Sequence, residues 1–202
     1  VRMRDIRRVA VLGSGVMGGA IAAHLANCGI PSIMLDIVPP DIPPCPPSKG
    51  DCSRASSDRK KRNAFADGSK ANLLKIKPSP IYSRGVLDLI ETGNFEDDMH
   101  RVADVDWIVE VVKEDLAVKK KVFEQVKKHR KPGTITTSNT SGIPIGSMLD
   151  VMDEDSKKHF FGTHFFNPPR YLKLLEIIPH PGTDKSIIAF MADFFENVLG
   201  KG

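Results

Sequence analysis

Residues 11–18 read Val-Leu-Gly-Ser-Gly-Val-Met-Gly, and Asp36 closes the apolar run Ile33-Met34-Leu35 that follows. The pattern predicts a strand over 9–12, a glycine turn, and a helix over 16–27. Gly13 permits the tight turn, Gly15 lets backbone amides approach a diphosphate, and Gly18 lets helix and strand pack closely. The loop Gly13-Ser14-Gly15-Val16-Met17-Gly18 then holds a dinucleotide diphosphate against the positive end of the helix. A glycine turn alone also serves to pack an α/β unit; the flanking strand, helix and downstream acid make this one a nucleotide loop. Asp36 chooses between cofactors. A carboxylate accepts hydrogen bonds from the adenosine ribose hydroxyls and repels a 2′-phosphate, and no arginine follows it directly. NAD is therefore favoured over NADP.

The 202 residues are enough for one α/β domain with a real core. Hydrophobic content of 41% and charged content of 27% fit a soluble globular protein. No apolar stretch approaches the roughly 20 residues of a membrane span. The apolar segment behind the basic N-terminus is broken by glycines, so no signal peptide is read. Cys28, Cys45 and Cys52 show no metal spacing, and a sparse, odd set fits reduced thiols in a cytoplasm. The net charge of +4 is uneven. Arg54, Arg59, Lys60, Lys61, Arg62, Lys70, Lys75 and Lys77 face only Asp58 and Asp67, so one segment is basic and the rest slightly acidic. That balance gives no support for a nucleic-acid partner.

Apolar runs at 9–12, 33–35, 107–112 and 134–137 read as parallel strands buried on both faces, with two more strands at 160–163 and 174–178. Helices fit 16–27, 116–130 and 185–198. The alternation predicts a Rossmann-type, doubly wound, mostly parallel sheet with helices on both faces. In the 116–130 helix, Leu116, Val118, Val122, Phe123 and Val126 form the apolar stripe. Glu114 and Asp115 sit at its positive end, and lysines and Arg130 at its negative end. Lys119 lies at the edge of that stripe, either snorkelling to the surface or pointing toward the cofactor. Residues 37–80 break the alternation: a stiff loop from Pro39 to Pro47, then the basic segment, with helical turns at 64–66 and 71–74. This excursion is either a solvated insertion or a cationic arm for a phosphorylated substrate.

Ligands of such sheets sit outside the carboxyl ends of the strands. Ser138-Asn139-Thr140-Ser141 falls there, and so do His164 and Asn167. Glu176 stands inside Leu174-Leu175-Glu176-Ile177-Ile178, where a carboxylate needs a partner to offset its desolvation. His164 is the histidine in reach. A buried His–Glu pair steadies the imidazolium after it takes a proton, which suits a general base that removes a hydroxyl proton as hydride leaves for NAD. Singly, each residue is ordinary. His164 also reads as a core histidine, Ser141 as a helix N-cap ahead of 143–149, and Asn167-Pro168-Pro169 as a turn. The remaining histidines show no metal spacing.

Several stretches together resemble the NAD-binding domain of the 3-hydroxyacyl-CoA dehydrogenase family: the glycine loop, Asp106 to Glu110, Glu114 to Lys119, Ser138 to Ser141, and His164 to Pro168 leading to Glu176. The likeness runs from about residue 5 to 202. The stretch Phe165 to Glu176 looks most like the large bacterial multifunctional fatty-acid oxidation enzymes. The resemblance implies that His164 is the catalytic base with Glu176 its partner. It further implies that Ser141 bonds the substrate oxygen near the nicotinamide, that Asn167 lies beside cofactor and substrate, and that Glu114 and Lys119 contact NAD. The basic excursion corresponds to a hairpin that helps hold coenzyme A, but its proline-rich start departs from the short-chain members, and Lys113 stands where the family has an apolar or acidic residue. Family members continue into a helical domain that completes the acyl site and the dimer contact, and this chain stops before it. The expectation is a 3-hydroxyacyl-CoA-oxidising domain from a larger cytoplasmic homo-oligomer. Its rivals are a dehydrogenase of another small hydroxy acid and a non-catalytic dinucleotide-binding module.

Overall fold

The computed structural model describes residues 5–43 and 56–202. Cys45, Cys52, Arg54 and the prolines at 44, 46 and 47 lie outside the described residues. Seven strands form one sheet: β1 (Val9–Leu12), β2 (Ser32–Asp36), β3 (Ile90–Asn94), β4 (Trp107–Glu110), β5 (Ile135–Ser138), β6 (Phe160–Phe165) and β7 (Leu175–Pro179). Their order is β3-β2-β1-β4-β5-β6-β7. All neighbours are parallel except β6 and β7. The helices are α1 (Val16–Asn27), α2 (Ser56–Arg62), α3 (Ala64–Asn72), α4 (Leu116–His129), α5 (Glu154–Lys158) and α6 (Lys185–Asn197).

The apolar runs become central strands because the sheet is covered on both faces. Val9 and Val11 pack with α1 and α6, through Ile21, Leu25, Ile187 and Met191. Ala10 and Leu12 pack on the other face with Val122 and Val126 of α4. Trp107 is fully buried, with ring centroids 5.4 Å from Phe195 and 6.2 Å from Phe194, and its indole donates to Thr137 Oγ1 at 2.9 Å.

Several expectations need correction. β3 was not foreseen. It pairs only with β2, and its Glu91, Thr92 and Asn94 lack the apolar signature of a central strand. The strand expected over 107–112 ends at Glu110, whose carboxylate takes the Val112 amide at 2.7 Å and turns the chain. The helix expected at 143–149 is a 3₁₀ turn over Ile145–Val151. The excursion after β2 is more ordered than expected in its second half: α3 runs unbroken from Ala64 to Asn72, and a 3₁₀ turn at Arg84–Leu89 leads into β3.

Chain order reverses direction across the sheet between β1 and β4, so a crevice opens there at the carboxyl ends of the strands. Because β7 runs antiparallel to β6, its first residues reach that same edge, and Glu176 lies directly opposite His164.

Candidate active site

The glycine loop forms as its spacing demands. Gly13 has φ of +108°, and a Cβ on it would stand 2.6 Å from the Val111 carbonyl oxygen. A Cβ on Gly18 would stand 1.9 Å from the Gly13 carbonyl oxygen, so helix and loop pack through glycine alone. Gly15 differs: it is exposed, a Cβ there would meet nothing within 4 Å, and it begins α1 with no side-chain cap and no acid in the first turn. The positive end of α1 is thus left open to an anion. Ser14 gives both its amide (2.6 Å) and its hydroxyl (2.5 Å) to Asp36 Oδ2, and the Ile37 amide bonds Oδ1 at 2.7 Å. These bonds hold the Asp36 carboxylate beside the loop while leaving lone pairs for further donors.

Two clefts meet at Gly15 and Val16. One, of about 600 Å³, runs past Ser14 and Asp36 to Phe65, Ser69 and Ile76 on and after α3. The other, of about 560 Å³, runs past Met17, Lys113, Glu114 and Asn139 to Ser141, His164 and Asn167. Met17, Glu114, Ser141, His164 and Asn167 therefore line one cleft, and Ser14 and Asp36 line the cleft that joins it at Gly15 and Val16.

His164 Nδ1 lies 2.7 Å from Glu176 Oε2. The contact matches expectation, but the expected burial does not hold: the side chains are 22% and 51% exposed. β7 is an edge strand with alternate residues outward, so its apolar neighbours do not bury Glu176. Cross-strand register, not desolvation, brings the two together. With Nδ1 committed to the carboxylate, Nε2 is the nitrogen left to exchange a proton. The Phe166 ring lies 4.5 Å from the imidazole. Glu176 is not among the residues lining the groove; it braces His164 from behind.

Ser141 is exposed and lines the groove. Ser141 caps no helix: the 3₁₀ turn starts after Pro144 without a side-chain cap, and within the loop the Thr140 hydroxyl oxygen accepts the Ile143 amide at 2.9 Å. Thr140 in turn donates to Glu114 Oε1, which also takes the amides of Ser141 (3.3 Å) and Gly142 (3.2 Å). Asn139 Oδ1 accepts the Phe165 amide at 2.9 Å, tying this loop to β6 beside His164.

Behind the loop lies a charged cluster that sequence reasoning only half saw. Lys119 is neither a snorkelling surface residue nor part of the groove lining: it is 1% exposed. Its ammonium is 2.9 Å from Glu110 Oε1 and 3.1 Å from Glu114 Oε2. Glu110, fully buried at the end of β4, also accepts from the Ser138 hydroxyl. Burial pushes the Glu110 carboxyl above its ordinary value, against the opposing pull of Lys119, Ser138 and the Val112 amide. Glu114 goes the other way. Burial pushes it up, but Thr140, Lys119 and the Gly142 amide outweigh this and bring it down to about 2. Glu114 is therefore a charged anchor for the Ser141 loop. Glu110 could have been found from one signal: an acid closing an apolar strand, with a lysine on the apolar side of the next helix.

Among the described residues no group of histidine, cysteine or acidic side chains could hold a metal, and no helix is long and apolar enough to cross a membrane.

Residues 8–202 match the family described as 3-hydroxyacyl-CoA dehydrogenase, NAD binding domain. A Bacillus subtilis (strain 168) protein named "Probable 3-hydroxyacyl-CoA dehydrogenase" is 53% identical over 199 residues, covering 98% of this chain and 25% of that protein. A Deinococcus radiodurans protein of the same name is 43% identical over 197 residues, covering 98% of this chain and 52% of that one. The 3-hydroxybutyryl-CoA dehydrogenase of Escherichia coli K12 superposes with a TM-score of 0.72 at 25% identity, covering 98% of this chain and 37% of its own. The chain thus spans between a quarter and about half of the length of these curated relatives.

Proposed function

The chain belongs to the 3-hydroxyacyl-CoA dehydrogenase family, as its NAD-binding domain, and from that premise we propose that it oxidises (3S)-3-hydroxyacyl-CoA thioesters to their 3-oxo forms in fatty-acid β-oxidation. The observation that carries the proposal is the shared groove: the open helix end at Gly15 continues without a break to His164, Ser141 and Asn167.

The residues fit NAD. Gly15, Val16 and Met17 leave room for a diphosphate at the end of α1, and Asp36, held by Ser14, offers carboxylate oxygens to ribose hydroxyls. Glu114 and Asn167 line the other half of the groove, where the nicotinamide belongs. When bound, NAD supplies the hydride acceptor. His164 takes the C3 hydroxyl proton on Nε2, and Glu176 on Nδ1 keeps the ring oriented and steadies its positive charge. Ser141 donates to the same oxygen and fixes where it lies. Lys119 acts from behind, through Glu114, rather than by touching the cofactor.

The intact protein is a larger cytoplasmic multidomain chain and a homo-oligomer, whose helical domain completes the acyl site. On that reading, residues 5–202 bind the dinucleotide but turn over poorly alone. Calorimetry of this chain with NAD, NADP and acetoacetyl-CoA tests the proposal. NAD should bind at least tenfold more tightly than NADP, a difference of about 1.4 kcal/mol from repulsion of the 2′-phosphate by Asp36. Equal affinity, or a preference for NADP, contradicts it.

A further inference from the structure

Lys201 lies far from the groove in sequence but not in space. It is 6% exposed, and among the described residues no carboxylate pairs with it. Its ammonium donates to the carbonyl oxygens of Pro169 and of Leu172 (3.0 Å) and lies 5.6 Å from the centre of the Phe165 ring. The next residue repeats the attachment: the Gly202 amide bonds the Lys173 carbonyl at 3.1 Å. The tail is fixed from its other side by α1, where His24 Nε2 meets the Leu199 carbonyl at 2.9 Å. The Lys201 amide also bonds the Phe195 carbonyl at 2.8 Å. A cation buried without a counter-ion carries a desolvation cost that simple packing by an apolar side chain avoids. Here the ammonium is used to gather the backbone of one turn.

That turn begins at Asn167. The Tyr171 and Leu172 amides both bond the Pro168 carbonyl at 3.0 Å, so residues 168–172 form one closed unit directly after the groove residue. We propose that Lys201 is a positioning residue: by holding Pro169 and Leu172 it sets the 165–172 segment, and hence Asn167, against Ser141 and the glycine loop. The inference rests on the functional reading given above. It assigns a role in the chemistry to the exit of α6, on the far side of the turn from the ligand. Asp36 and Ser14, at the adenosine end, line the adjoining cleft and not the one that holds Asn167, so NAD affinity should change less than turnover.

The test is a double-mutant cycle in the full-length chain, with acetoacetyl-CoA and NADH as reactants and each variant assayed well below its melting temperature. Lys201→Met should lower kcat about tenfold in the otherwise unchanged protein and less than about twofold in an Asn167→Ala background, because the two act through one segment. Lys201→Arg, which keeps donors for both carbonyls, should recover most of the loss. Lys201→Gln, run through the same cycle, guards against a Met variant that fails to fold. Equal losses in both backgrounds, or no recovery with arginine, overturn the inference. His164→Ala is assayed alongside. If it leaves turnover intact, the functional reading itself has failed; if it abolishes turnover while the Lys201 losses simply add, only the Lys201 inference falls.

Discussion

His164→Ala should reduce kcat at least a hundredfold in the full-length chain, with the NAD dissociation constant nearly unchanged. General bases contribute about 10²–10⁴-fold, and a hundredfold corresponds to about 2.7 kcal/mol of transition-state stabilisation. The split between kcat and binding follows from the geometry. His164 stands at the end of the groove away from Asp36 and Ser14, so removing its ring leaves the adenosine end intact. Glu176→Gln should cost less, about tenfold, because an edge-strand carboxylate that is half exposed is already screened by water. Steady-state kinetics with saturating NAD and a short-chain 3-hydroxyacyl-CoA give both numbers. An alanine variant with unchanged kcat would remove His164 from the chemistry; one with weakened NAD binding and normal kcat would make it a cofactor contact instead.

The second large effect concerns stability. Lys119→Met leaves Glu110, with no solvent exposure, facing Ser138 and the Val112 amide without its cation. Breaking a buried ion pair by removing one partner costs about 3–5 kcal/mol. For a chain of this size that lowers Tm by roughly 10 °C. Glu110, whose carboxyl burial already pushes upward, escapes part of the penalty by taking a proton. The double variant Glu110→Gln with Lys119→Met should therefore recover much of the loss, since no charge remains to be buried. Thermal and urea melts of the three variants decide the matter. A single-variant loss under 1 kcal/mol, or a double variant no more stable than the single, would mean the pair is not the closed charge system its geometry indicates. Activity adds a second readout. Glu114 loses its 3.1 Å contact with Lys119 and holds the Ser141 loop less firmly, so the loop should become more mobile before the domain melts.

The glycine loop and the central strands were readable because their function and their packing ask for the same residues. A sheet covered on both faces writes its strands as unbroken apolar runs, and a dinucleotide loop writes itself in glycines, of which Gly13 and Gly18 are demanded by close packing and Gly15 stands open to a ligand. β3 escaped because an edge strand needs a partner on one side only. Its Glu91 instead reaches the surface arginines Arg8 and Arg101, and its Thr92 bonds Asp67 of α3. The His164–Glu176 contact was readable, but for an incomplete reason. Apolar neighbours suggested a buried acid, whereas an antiparallel edge strand places Glu176 opposite His164 with one side in water. Glu110 and Lys119 show the reverse failure. Glu110 stands in a run that reads as a buried strand and Lys119 at the edge of an apolar stripe, but nothing in either pattern pairs them; only the approach of α4 to the end of β4 buries them together. Lys201 carried no signal at all. Its partners are backbone carbonyls, which every residue has, so nothing in the side-chain pattern marks them.

The central claim is that the nucleotide loop and the His164–Glu176 pair serve one ligand-filled groove. A crystal structure of the full-length protein with NADH and acetoacetyl-CoA tests it most directly. The adenosine ribose should lie on Asp36, and the 3-oxo oxygen within about 3.2 Å of both His164 Nε2 and Ser141 Oγ. A dinucleotide lodged away from Gly15, or a 3-oxo oxygen out of reach of the His164 ring, would contradict the account.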